Sequence, residues 1–121
     1  MVTVLLVSAT GAVFAEDDPI DMVVSPNFLN VASNSLYIHI HTDIGYDDDA
    51  VATVEVNENV IASDEITTFE DDCGNLVVMF DIDLVKGIVD NPEIDSADFV
   101  LTYLGREGED SIDVIRTPKN P

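Results

Sequence analysis

The run Leu76-Val77-Val78-Met79-Phe80 is the densest apolar stretch outside the N-terminus, and it constrains the fold more than any other feature of the chain. Gly74-Asn75 precedes it and Asp81 follows it, so turn-forming or polar residues mark both borders. Five consecutive apolar residues between such borders predict a central strand, Asn75 to Asp81, covered on both faces. The remaining segments must then supply the strands that pack around it.

Their patterns agree with that role. Leu36-Tyr37-Ile38-His39-Ile40-His41-Thr42 alternates cleanly, with Leu36, Ile38 and Ile40 on a core face and Tyr37, His39 and His41 on the other. Ile20 to Val24 reads as a first strand stopped by Ser25-Pro26-Asn27, and Phe28 to Val31 as a short second one. Val51 to Val56 and Val60 to Ala62 read as a hairpin joined by a slightly long loop, Asn57 to Asn59. Ser63 to Asp72 has Ile66 and Phe69 as its anchors and reads as an edge strand or a loop. Ile82 to Val89 carries Leu84, Val85 and Ile88 at helical spacing behind Asp81 as N-cap, which predicts two helical turns ended by Asp90-Asn91-Pro92. Ala97 to Leu104 and Ser111 to Arg116 are the last strands, with Gly105 to Asp110 between them as a hairpin loop. About seven short strands and one helix predict an all-β antiparallel sandwich.

At 121 residues there is room for one domain. The expected organisation is an apolar segment over residues 1–15, an acidic linker over 16–19, the sandwich over 20–116 and a tail over 117–121. The first segment resembles the hydrophobic region of a secretory signal, with Val13-Phe14-Ala15 before Glu16 as the cleavage region, although it has no basic residue. It is too short to span a bilayer as a helix. A second expectation keeps it: Val2, Val4, Leu6, Val7, Val13 and Phe14 would form an extended arm that adds a strand to a neighbouring subunit.

Charge narrows the function classes. Asp and Glu total 25 against 4 Lys and Arg, a formal net charge of −21. The cations are Lys86, Arg106, Arg116 and Lys119, so no basic patch is expected to neutralise several phosphates, and nucleic acid and anionic membrane surfaces are disfavoured as partners. Self-repulsion at this density favours surroundings rich in salt or calcium, and an extracellular or cell-surface location. Cys73 is the single cysteine, which rules out an internal disulfide; it is expected to be buried and inert.

Three sets of residues carry candidate chemistry. Asp43, Asp47, Asp48 and Asp49 in one loop, and Asp71 with Asp72 beside the central strand, supply the hard oxygen ligands that calcium takes, without the twelve-residue EF-hand spacing. His39 and His41 share a strand face at a spacing used in sheet metal sites, but no third ligand follows from the spacing. Carboxylates are too abundant for any pair to signal acid–base work, and no nucleophile motif or phosphate-binding glycine loop is present, so no enzymatic role is expected.

Taken in order, Ser25-Pro26-Asn27-Phe28-Leu29-Asn30-Val31, the alternating strand, the Gly45-Tyr46-Asp47 loop, Asp72-Cys73-Gly74-Asn75 with the central strand, the helix, Phe99-Val100-Leu101-Thr102, Gly105 and Asp113-Val114-Ile115-Arg116 resemble small Ig-like modules of archaeal and some bacterial secreted and surface proteins. The resemblance spans Ile20 to Arg116. Those modules often carry an Asp-rich stretch before the central strand, here shortened to Asp71-Asp72-Cys73-Gly74. The resemblance implies an extracellular sandwich without a known catalytic role. The expected function is a structural surface subunit, self-assembling into a filament through the N-terminal strand; the alternative is a monomeric module that recognises a glycan or a protein, with calcium as an aid.

Overall fold

The computed structural model describes residues 19–32 and 37–116. Residues 1–15, and with them the signal and donated-arm readings, lie outside the described residues, as does Leu36. Alternating apolar residues build nine strands here: β1 (Met22–Ser25), β2 (Phe28–Asn30), β3 (Tyr37–Gly45), β4 (Thr53–Val56), β5 (Asn59–Val60), β6 (Thr67–Glu70), β7 (Asn75–Asp81), β8 (Ser96–Tyr103) and β9 (Arg106–Ile115). Among the described residues, one helix, α1 (Ile82–Ile88), and a 3-10 turn (Ser63–Glu65) accompany these strands. The strands form two sheets, in the orders β1-β3-β7-β6 and β2-β9-β8-β4-β5. All pairs of neighbouring strands are antiparallel except β2 with β9, which run parallel. This is an all-β sandwich.

One core lies between the sheets because each strand turns every second residue inward. Val24, Ile38, Ile40, Leu76, Val78 and Phe80 meet Val54, Val56, Ala97, Phe99, Leu101 and Ile112 in a single buried cluster. Phe80 and Phe99 face each other with ring centroids 6.4 Å apart. β7 is an inner strand of its sheet, as its apolar run predicts. Helix α1 follows it directly, with the Asp81 carboxylate accepting from the Asp83 N–H at 2.8 Å. The helix buries Ile82 and Val85; Leu84 and Ile88 are partly buried. Arg116 closes the far end, its guanidinium donating to the carbonyls of Val89, Asn91 and Ile94.

Three local expectations change. Arg106 to Asp110 is strand rather than loop: the turn is Leu104-Gly105, both at positive φ (54° and 76°), and β9 begins at Arg106. Asn57-Glu58 likewise makes a two-residue hairpin turn with both φ positive (48° and 70°), so that loop is short. β3 continues through Asp43 and Ile44, because the buried Thr42 hydroxyl donates to the Leu76 carbonyl at 2.8 Å where the β3–β7 register shifts.

The chain enters the sandwich by crossing from one sheet to the other. Ile20 bridges in parallel to Gly108 of β9, its N–H donating to the Glu107 carbonyl at 2.8 Å, before β1 joins β3. Gly108 permits this approach, since a Cβ there would stand 2.6 Å from the Ile20 carbonyl oxygen. Asp110 then ties β1 from the side, its carboxylate accepting from the Val24 N–H at 2.8 Å.

Candidate functional site

The residues singled out for calcium do not form one site. Asp47, Asp48 and Asp49 are exposed and bring ligand oxygens within 4.8 Å of one another. Their loop has a structural explanation: the Asp47 carboxylate accepts from the Asp49 N–H, and the buried Tyr103 hydroxyl donates to the Asp47 carbonyl (2.7 Å) and accepts from its N–H (2.8 Å). Asp43 is engaged elsewhere, accepting from the Asp21 N–H at 3.1 Å. Asp71 shapes the turn into β7, with Oδ1 accepting from the N–H groups of Asn75 (3.0 Å) and Cys73 (2.8 Å). Those two bonds, Asn75 first, stabilise the ionised carboxyl and hold its pKa below the ordinary value. Asp72 is exposed in the same turn. Cys73 is exposed as well, contrary to the expectation of burial, because the turn lifts it away from the core.

The register, rather than any motif, assembles the most distinctive surface. Across the outer face of the β1-β3-β7-β6 sheet, Val23 pairs with His41, His41 with Val77, and Val77 with Phe69. The next row runs Ser25, His39, Met79, Thr67. Neither row holds a carboxylate. Tyr37 extends the face beyond His39, and the rings of Tyr37, His39 and His41 follow one another at centroid distances of 6.5 and 6.1 Å. Val23 is 61% exposed, Tyr37 47% and Phe69 39%, whereas Val77 between them is 1% exposed. Asp21, Asp43 and Asp81 stand at the ends of these strands, with Asp71 in the adjoining turn.

The opposite outer face is acidic, with Phe28 and Val60 exposed among its carboxylates. Glu55, Val100 and Glu109 form one row across β4, β8 and β9, and Thr53, Thr102 and Glu107 another. Asp98 lies opposite Ser111, whose hydroxyl donates to its carboxylate at 2.7 Å, and Asp113 lies beside Phe28. The outward positions of this sheet thus carry five carboxylates, Glu55, Asp98, Glu107, Glu109 and Asp113.

His39 and His41 do share a face, with their rings stacked at an interplanar angle of 20°. Among the described residues, no group of three or more metal-binding side chains includes either. Sequence reading found this pair by alternation; of its two anchors in the segment before β7, Ile66 packs against the core while Phe69 turns outward, and the rows themselves required the strand register. Among the described residues no helix is long and apolar enough to cross a membrane. Comparison with protein-family models finds no match, and neither does comparison with curated proteins.

Proposed function

We propose that this chain is a non-catalytic, Ig-like structural subunit of an extracellular or cell-surface assembly, and that its neighbours dock on the outer face of the β1-β3-β7-β6 sheet. The observation that carries this reading is the pair of carboxylate-free rows on a chain of net charge −21. Val23, Tyr37 and Phe69 leave exposed apolar side chains on this face, the kind of surface that marks contact sites. The strand order supports the Ig-like part: β1, β3, β7 and β6 stand where strands A, B, E and D of such a sandwich stand, and β4, β8 and β9 where C, F and G stand. The acidic composition and the signal-like residues 1–15 support export.

Filament formation by strand donation belongs to the same reading. The four-residue β6 lies at one end of its sheet, where an arm containing Val2, Val4, Leu6, Val7, Val13 and Phe14 would add by main-chain hydrogen bonds. Cleavage after Ala15 would remove that arm and leave the sheet face as the contact. Intact mass and electron microscopy of native material test both parts. Regular assemblies at the cell surface are expected; a dispersed monomer would favour a recognition module that works through its loops.

A further inference from the structure

We infer that the partner on the two carboxylate-free rows of this sheet face, which Asp43 and Asp81 flank, is a second copy of this chain, the two copies packing face to face about a two-fold axis. The inference rests on the reading of that face as a docking surface and adds the occupant. A two-fold contact uses one patch twice, so the patch must tolerate its own charge and complement its own shape. Each copy carries a net charge of −21, and most approaches set carboxylate against carboxylate. On the outer face of the β2-β9-β8-β4-β5 sheet the five carboxylates would meet five more. The rows Val23-His41-Val77-Phe69 and Ser25-His39-Met79-Thr67 bring none. A basic partner, by contrast, finds its complement on the acidic face and not here.

Geometry agrees with charge. Two twisted sheets stack with their strands within about 30° of each other and their side chains interdigitated. Val23 and Phe69 stand out at opposite edges of the face, with Val77 already covered between them, so the row offers two apolar ridges against which a rotated copy can pack. Four strands at a spacing of about 4.8 Å make a patch of modest width, below the typical interface of about 800 Å² per partner. The dimer is therefore weak and reversible. Repulsion between the remaining carboxylates opposes it, so salt strengthens it, which is the opposite of an interface held by ion pairs.

The test is sedimentation velocity of the full chain over a range of concentrations, at low and at high NaCl. The expected result is a monomer–dimer equilibrium whose dissociation constant falls at least tenfold as salt rises. Phe69→Glu and Thr67→Glu, both at exposed positions, each weaken the dimer at least tenfold, while Thr53→Glu on the acidic face leaves it within twofold. Circular dichroism and a melting curve establish that each variant is folded, and Thr67→Glu decides the matter if Phe69→Glu is not. A monomer at every concentration and salt overturns the inference, as does a dimer indifferent to both variants. Native assemblies that persist with Phe69→Glu would overturn the occupant alone; absence of any native assembly would overturn the reading beneath it.

Discussion

The two outer faces of this sandwich belong to the same small body and differ in how they carry its charge. One sheet turns Glu55, Asp98, Glu107, Glu109 and Asp113 to solvent; the other turns Val23, His39, His41, Val77, Met79 and Phe69 outward in rows without a carboxylate. Both rest on the same core, so the difference is not a demand of folding: inward positions satisfy the hydrophobic requirement, and outward ones are free to vary. A chain with 25 acidic residues has every opportunity to place one in these rows. Their absence from these two rows teaches that net charge describes this protein poorly, and that its acidity is unevenly distributed over the surface.

Inner and outer positions of one sheet should respond very differently to truncation, and this is the largest expected effect. Phe80→Ala, at a fully enclosed β7 position, should cost about 3–5 kcal/mol in denaturant unfolding. Phe69→Ala, on the outer face of the neighbouring strand, should stay within about 1 kcal/mol at monomeric concentrations. Equal losses would mean that the outer face is covered within the monomer, and the contrast between faces would fail. Next in size is Gly108→Ala, which puts a methyl group against Ile20 where the chain passes between the sheets. The expected cost is about 1–3 kcal/mol, read from the same unfolding curves. An unchanged midpoint would show that the crossing is not held where the bridge places it.

A smaller effect separates the faces by charge. Melting temperature should rise with NaCl through screening of the −21 charge, and CaCl₂ at equal ionic strength should exceed NaCl only if the chain binds the ion. Glu109→Lys on the acidic face should raise the low-salt melting temperature by a few degrees and reduce the salt dependence, whereas His41→Gln should leave both nearly unchanged. A reversed order would contradict the division of charge. The smallest effect is acid-linked. The Asp71 carboxyl has a folded pKa below its unfolded value, so its contribution is present above about 3.9 and is lost as pH falls through the folded value. Asp71→Asn should therefore lower the neutral part of a stability–pH curve and flatten its fall toward acid, leaving the most acidic part unmoved.

How far these features could be read from residues alone follows from whether they are local. Ile38 and Ile40 inward with Tyr37, His39 and His41 outward followed from a period of two, and Asp81 with the helix behind it from capping and spacing. The start of β9 did not follow, because glycine reads as a turn signal and Gly108 is instead a close-approach residue whose reason lies at Ile20, far away in sequence. The extension of β3 hid for a similar reason: it depends on one hydroxyl, that of Thr42, reaching a carbonyl on another strand. The candidate surface was legible strand by strand but not as a surface. His41, Val77 and Phe69 become neighbours only through register, and no motif announces register. The acidic clusters drew attention by composition, yet Asp71 and Asp47 are engaged in shaping their own turns.

Nuclear magnetic resonance of the full chain at high NaCl, with protein concentration as the variable, tests the central claim most directly. The account predicts concentration-dependent chemical-shift changes concentrated at Val23, His39, His41, Val77, Met79 and Phe69, with Glu55, Val100 and Glu109 unmoved. Changes centred on the acidic face, or none on either face across the concentration range, would contradict it.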